Sequence, residues 1–276
     1  MPTLYIVATP IGNLEDISFR ALRTLSEVAL IAAEDTRKTR RLLSAYGIKT
    51  RLTSYHEHNK ETKLSYILSR LESDDVALVS EAGMPGISDP GYELVVAAIE
   101  HGISVVPIPG PSVLVTALAV SGLATDQFIY LGFPPRKKGQ RRHFFELIAE
   151  EERTIVAFEA PHRLTSALED ILDVLGDRRI AVCRELTKIH EEVFRGAVSA
   201  AIDHFREPIG EFTLVIEGRS KGGRALTTPL EEELRRLYEK GLSTREAVSQ
   251  VSKATGASKK ELYKAWLAFA RRIVIE

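Results

Sequence analysis

Three loops in this sequence combine glycine, proline and small polar residues in the way that chains use to hold a small ligand. The first is Thr9–Asp16, TPIGNLED, where Pro10 stiffens the exit from an apolar run and Gly12 permits close backbone approach. The second, SEAGMPGISDPG at Ser80–Gly91, packs Gly83, Gly86, Gly91, Pro85 and Pro90 into twelve residues. A connection that only had to turn would need roughly 2–6 residues, so this loop reads as a ligand cradle. The third, PIPGPS at Pro107–Ser112, ends one element and opens a helix. Pro111 suits a first helical turn, and Gly110 lets backbone donors face a ligand at the helix N-terminus. The phosphate-cradling patterns GxxxxGK[ST] and GxGxxG are both absent, which disfavours a nucleoside triphosphate or a dinucleotide held in the usual cradle. Proline-rich loops offer carbonyls and apolar surface but few amide donors. They suit a cationic or zwitterionic ligand with an aromatic base, a description that S-adenosylmethionine fits.

Polar clusters accompany these loops: Glu34, Asp35 and Arg37 in AEDTR; Tyr55, His56, Glu57, His58 and Asn59 in SYHEHN; Glu159, His162 and Arg163 in EAPHR; Arg184 and Glu185 in CREL. The His-Glu-His triplet invites a metal reading, but on a strand alternate side chains share a face and no further ligand is evident, so no metal is expected. The run Arg37-Lys38-Thr39-Arg40-Arg41 reads as a solvated helix face. Two places concentrate positive charge. Pro135–His143, PRKKGQRRH, holds five Arg or Lys residues and no acid, and reads as a loop that Gly139 makes mobile; residues 224–276 hold 11 bases and 7 acids. Residues 1–223 carry 26 bases and 31 acids, so the formal net charge of -1 sums an acidic body and a basic tail.

The elements that must position these groups follow from hydrophobic periodicity. Apolar runs at 4–8, 28–33, 76–80 and 104–108 read as strands, and amphipathic stretches at 18–26, 36–46, 61–72, 92–101 and 112–121 as helices, which is the pattern of βα units on a parallel sheet. Beyond Gly122, strands are expected at 128–133, 154–158, 180–184, 192–195 and 212–217, with helices at 142–150, 162–175 and 198–205. The closer strand spacing points to a mixed sheet. A linker at 221–229 then leads to helices at 230–240, 244–255 and 258–271, the last two separated by the turn Gly256–Ser258 in a helix-turn-helix pattern. Leu262, Trp266 and Phe269 share one face of the last helix, which packing explains better than base stacking. The expected organisation is α/β: residues 1–122 as one ligand-binding domain, 123–222 as a second α/β domain, and 223–276 as a small helical appendage.

The 276 residues suffice for two such cores, and Cys183, the single cysteine, excludes an internal disulfide framework and points to the cytoplasm. The opening MPTLYIVATP lacks the basic start and long apolar run of a signal peptide, and no stretch reaches the roughly 20 apolar residues of a membrane helix.

The ordered set LYIVATPIGNLEDIS, AEDTRKTRRLL, SYHEHN, VSEAGMPGISDPGYELV, VPIPGPS, YLGFPPRKKGQR, FEAPHRL, CRELTKIHEEVFRG and GEFTLVIEG strongly resembles the tetrapyrrole methylase superfamily over essentially the whole chain. Within it the sequence is similar to bacterial enzymes that 2′-O-methylate a cytidine ribose in 16S rRNA. The resemblance implies a class III methyltransferase fold of two α/β domains, with S-adenosylmethionine in the cleft and usually a homodimer. It places Thr9, Pro10, Gly12 and Asn13 in the first cofactor loop, Ser80, Ala82, Gly83, Met84, Ser88 and Asp89 in the second, and Pro109, Gly110 and Ser112 in the third. Glu159, Ala160, Leu186, Phe212 and Thr213 match positions that complete the pocket; Val113 departs from the alanine frequent after the serine.

A ribose hydroxyl is a poor nucleophile near neutral pH, so a proton acceptor is expected, here Glu34 or Asp35, with Arg37 and Arg163 gripping phosphate. Further RNA contacts are expected from His56, His58, Arg136, Lys137, Lys138, Arg141, Arg142, Lys259, Lys260 and Lys264, and the small ribosomal subunit is the expected partner. Two other readings share these features. A methylase of small macrocycles would need neither the basic loop nor the helical tail, and a non-catalytic ligand sensor would bind duplex DNA through its helix-turn-helix.

Overall fold

The computed structural model describes residues 2–219 and 228–255, together with 259, 262, 263 and 266. The chain forms two compact units: residues 1–149 with 153–217, and residues 150–152 with 218–276.

The first unit is built on two five-stranded sheets. The first sheet comprises β1 (Thr3–Val7), β2 (Leu30–Ala33), β3 (Leu52–Ser54), β4 (Val76–Val79) and β5 (Ser104–Ile108) in the order β3-β2-β4-β1-β5. All four pairings are parallel, with Leu4 opposite Val76 and Val7 opposite Ile108. Its central strands LIAA and VALV are buried at every position, because helices cover both faces and leave no polar side for alternation. α1 (Phe19–Glu27) and α2 (Thr36–Ala45) pack on one face, through Ala21, Leu25 and Leu43 against Val7, Ile31, Ala77 and Val79. α3 (Lys60–Arg70) and α4 (Tyr92–Glu100) cover the other, with Ile67, Leu94 and Ala98 against Leu4, Leu30, Val76 and Leu78.

The second sheet orders β6 (Phe128–Tyr130), β7 (Thr154–Glu159), β8 (Arg179–Arg184), β9 (Glu192–Ala197) and β10 (Phe212–Ile216) as β6-β7-β10-β8-β9. Only β6 and β7 run parallel, so the sheet is mixed as its strand spacing implied. α5 (Val113–Ser121) lies against one face through Ala117 and Leu118, which meet Val156, Ala181 and Val215. α6 (Lys138–Glu146), α7 (Leu164–Leu175) and α8 (Val198–His204) cover the other face around Phe145, Leu168, Ile171 and Val198. Thus α5 follows a strand of the first sheet but buries its apolar side on the second.

Three expectations are corrected. β3 escaped the sequence reading because it is only three residues long and carries one leucine between polar neighbours. His56-Glu57-His58 is not on a strand: β3 stops at Ser54, and Glu57–Asn59 form a turn into α3. Pro135–His143 is not a mobile loop, since α6 begins at Lys138 and anchors there through Arg141. Arg141, 3% exposed, donates from Nε to Asp170 Oδ2 at 2.8 Å, and Asp170 is itself 1% exposed on α7. Arg142 bridges Asp170 and Asp173 at 3.4 and 2.7 Å.

The second unit contains α9 (Thr228–Glu239) and α10 (Thr244–Thr255). Leu234, Leu237, Ala247, Val248 and Val251 form its core, which Leu262 and Trp266 join. Ser243 and Glu246 make a reciprocal capping box at the start of α10: the Ser243 N–H donates to Glu246 Oε2 at 3.1 Å and the Glu246 N–H to Ser243 Oγ at 3.4 Å. Residues 221–227, the turn 256–258, Phe269 and most of the expected third helix, including Lys260 and Lys264, lie outside the described residues.

Candidate functional site

The carboxyl ends of the parallel strands are where open α/β sheets bind ligands, and the long loops leave from that edge. The loops after β1 and β4 are tied together: the Thr9 N–H donates to the Gly83 carbonyl at 2.9 Å and the Gly83 N–H returns to Thr9 at 3.0 Å. Gly83 adopts φ +80°, a conformation that side-chain-bearing residues avoid. Asn13 Oδ1 caps the following 3-10 turn by accepting from the Glu15 N–H at 3.1 Å. Gly12 is pressed onto the chain after β8, where a Cβ would stand 2.5 Å from Lys188 Cγ and 3.1 Å from the Leu186 carbonyl. The Asn13 N–H completes this contact by donating to Thr187 Oγ1 at 3.1 Å. The close approach expected of Gly12 is therefore to protein rather than to ligand.

These loops and the strand ends of the second sheet enclose a cavity of about 400 Å³, within the range of small-molecule sites. The first sheet contributes Ile11, Glu34, Glu81, Ala82, Gly83, Met84, Ile87, Ser88 and Asp89; the start of α5 contributes Ser112, Val113 and Leu114. From the second sheet come Phe133, Phe158, Glu159, Ala160, Pro161, Cys183, Leu186, Glu211, Phe212 and Thr213. The expected cofactor residues Ala82, Gly83, Met84, Ser88, Asp89, Ser112, Glu159, Ala160, Leu186, Phe212 and Thr213 thus meet in one wall. Thr9, Pro10, Gly12, Asn13, Ser80, Pro109 and Gly110 are not part of the lining, and Gly12, Asn13, Pro109 and Gly110 are exposed. Thr9 and Ser80 are buried, and a Cβ on Gly110 would meet that of Ala8 at 3.1 Å. Sequence reading passed over Glu81, Phe133, Phe158, Cys183 and Glu211, although each lies within or beside a motif already singled out: SEAG, GFPP, FEAP, CREL and GEFT.

The lining holds five carboxylates and no lysine, arginine or histidine. Asp89 is pushed up to about 7 by burial and by the neighbouring Glu34 charge, against a hydrogen bond from Ser80. Glu34 accepts from the Glu81 N–H at 3.1 Å, and Lys38 pairs with Glu81 at the rim. Glu159 is 2% exposed. Burial raises it although Arg163 sits on both its oxygens, at 2.9 and 3.0 Å, and the Ala160 N–H donates at 2.8 Å. Burial also pushes the Cys183 thiol to about 11, so it faces the cavity uncharged. The Ser88 and Tyr130 hydroxyls hydrogen-bond across the rim, with Ser88 at φ +64°.

The other expected site residues are dispersed. Asp35 is the N-cap of α2, accepting from the Arg37 and Lys38 N–H groups at 2.8 and 3.2 Å, and these bonds hold its carboxyl below the usual range. Arg37 extends into solvent. His56 and His58 stand with ring centroids 6.1 Å apart at the end of β3, where the His56 N–H donates to Asn59 Oδ1, away from the cavity lining. Arg136, Lys137 and Lys138 are exposed just beyond Phe133, and Lys259 is exposed in the helical unit. Arg141 is corrected as an RNA contact, because its guanidinium is spent on buried Asp170. Arg163 is corrected likewise: it holds Glu159 and donates to the Pro134 carbonyl. No group of three or more His, Cys, Asp or Glu able to hold a metal occurs among the described residues, and no helix among them is long and apolar enough to cross a membrane.

Residues 3–202 match the family model described as Tetrapyrrole (Corrin/Porphyrin) Methylases. A protein of Halalkalibacterium halodurans named ribosomal RNA small subunit methyltransferase I is 48% identical over 95% of this chain and 93% of its own length. Proteins of the same name from Thermotoga maritima and Bacillus subtilis are 53% identical over 79% of this chain and 43% identical over 96%, covering 100% and 94% of their own lengths. Among solved structures, uroporphyrin-III-C-methyltransferase from Thermus thermophilus superposes with TM-score 0.54 at 20% identity, covering 78% of this chain and 94% of that one. The cobalt precorrin-4 methyltransferase CbiF does so with TM-score 0.57 at 18% identity, covering 77% and 94%. The two-sheet architecture, the cavity at its loop edge and the match over residues 3–202 identify this chain as a member of the tetrapyrrole methylase family.

Proposed function

We propose that this chain transfers a methyl group from S-adenosylmethionine to the ribose 2′-hydroxyl of a cytidine in 16S rRNA, acting on the small ribosomal subunit in the cytoplasm as a homodimer. The observation that carries the reading is near end-to-end similarity to relatives named ribosomal RNA small subunit methyltransferase I, 48% identical over 95% of the chain. The cavity supports the donor. Of its five carboxylates, Glu81, Glu159 and Glu211 are paired with Lys38, Arg163 and Lys188 from outside the lining, which leaves Glu34 and Asp89 to suit a positively charged ligand and oppose a polyphosphate, and its apolar lining suits an aromatic base. Exposed Val115 and Val120 on α5, a helix apolar on every side, favour a second copy as partner.

Bound in the cavity, S-adenosylmethionine supplies an electrophilic methyl group on a cationic sulfur. The chain's own work is then to position, to exclude water and to move one proton. Met84, Phe158 and Leu186 provide an apolar wall that fixes the line of approach, on which rate depends most. Ser112 makes no side-chain cap bond, so the first-turn N–H groups of α5 remain as donors for a ligand carboxylate. Asp89, with Glu34 beside it, titrates near neutral pH and accepts the hydroxyl proton. Asp35 is unsuited to that role, being held ionised by its helix cap.

The test is to offer methyl-labelled S-adenosylmethionine together with small subunits, naked 16S rRNA or a tetrapyrrole, and to map the label. Label on a cytidine 2′-oxygen is the expected result. Label on the macrocycle, or on none of the three, contradicts the reading.

A further inference from the structure

The two helical layers on the first sheet differ in charge. α1 and α2 together carry six basic residues and one acid, whereas α3 and α4 carry three of each. On α2 the buried positions are Thr39, Leu42 and Leu43, which turns Arg37, Arg40 and Arg41 outward along one stripe. On α1 the buried Ala21, Thr24 and Leu25 do the same for Arg20 and Arg23. Lys49 and Arg51, in the connection to β3, extend the exposed cationic surface. Among the described residues, no carboxylate lies within ion-pair distance of Arg20, Arg23, Arg40, Arg41, Lys49 or Arg51. On the opposite layer Lys60 is paired with Glu57 and Glu93, and Arg70 with Asp74. Next to Arg20 stands Phe19, 92% exposed at the start of α1.

From this asymmetry we infer that the α1–α2 layer is the docking face for the RNA phosphate backbone. This rests on the reading of rRNA as substrate and adds the surface that receives it. Arginine-rich stripes match phosphate by bidentate hydrogen bonding, and an exposed aromatic beside them offers a stacking surface for an unpaired base. The layer is also continuous with the cavity. α1 follows the loop that supplies Ile11 to the lining, and α2 starts two residues after Glu34. A strand lying along the roughly 15 Å of α2 is thereby led to the cavity rim. An anionic membrane is the poorer occupant, because insertion needs a row of apolar side chains and this face shows a single exposed aromatic.

The experiment uses the full chain carrying Arg20→Gln, Arg23→Gln, Arg40→Gln and Arg41→Gln together, a separate Phe19→Ala variant, and Lys63→Gln on the opposite layer as control. Binding to small subunits and to 16S rRNA is measured across a salt series, binding to phosphatidylserine vesicles in parallel, and S-adenosylmethionine affinity by calorimetry reports on folding. The fourfold variant is expected to flatten the slope of log Kd against log salt by about 3, at roughly 0.7 per lost contact, and to weaken RNA binding at least tenfold. Phe19→Ala is expected to weaken binding without changing the slope, and Lys63→Gln to change neither. An unchanged slope in the fourfold variant while the unmodified chain labels rRNA overturns the docking face alone, as does loss of vesicle binding with RNA binding intact. An unmodified chain that neither binds nor labels rRNA overturns the substrate reading itself.

Discussion

Asp89, from the loop after β4, and Glu159, from the end of β7, line one cavity from its two sheets, and burial raises both carboxyls. They differ in what faces them. Glu159 has the Arg163 guanidinium on both oxygens and a backbone donor besides, whereas Asp89 has a serine hydroxyl and the like charge of Glu34. A buried carboxylate gripped by arginine is fixed in place, whereas burial and the neighbouring Glu34 charge push Asp89 up to about 7. The contrast extends to the sheets that carry them. The second sheet's layers lock their buried charges, Arg141 with Asp170 as well as Glu159 with Arg163, while the first sheet presents Glu81 and Asp89 on a glycine- and proline-rich loop. In the proposed mechanism the chemistry belongs to the parallel sheet's loops, and the mixed sheet supplies the opposite wall.

Three substitutions separate the two behaviours. Asp89→Asn is expected to lower kcat by roughly 10²–10⁴, with thermal stability nearly unchanged; an equal loss of stability would make Asp89 one more wall residue. Glu159→Gln, which leaves Arg163 uncompensated, is expected to cost about 3 kcal/mol in denaturant unfolding. A rate loss without a stability loss would instead place Glu159 in the chemistry. Asp35→Ala is expected to cost about 1 kcal/mol through the lost helix cap, while Asp35→Asn, which still caps, retains both stability and turnover. Strong loss of turnover in Asp35→Asn would return the proton to Asp35.

Most of the fold is legible in the sequence because apolar runs such as SVVPI and VALV are bounded by polar residues, glycine or proline, and Ser104–Ile108 is found at its expected bounds. β3 is not legible, since a three-residue strand is shorter than either hydrophobic period can register. Nor is the start of α6, where a run of cations hides one arginine that is buried against a distant aspartate. In the cavity, the glycine-proline loops announce themselves by composition. Phe133, Phe158 and Cys183 do not, because they are ordinary residues near or beyond strand ends until the fold brings them into one lining. The charge balance is equally opaque: a near-neutral chain conceals a basic helical layer as well as a basic tail.

That an unpaired carboxyl on the parallel sheet's loop moves the proton can be read from the pH dependence of labelled-methyl transfer to small subunits. Asp89 is protonated below its raised value of about 7 and cannot then accept a proton. The rate should accordingly rise about tenfold per pH unit up to that point and level above it. Asp89→Asn should abolish this acid limb along with most of the rate. A variant that keeps the same inflection near neutral pH would contradict the claim.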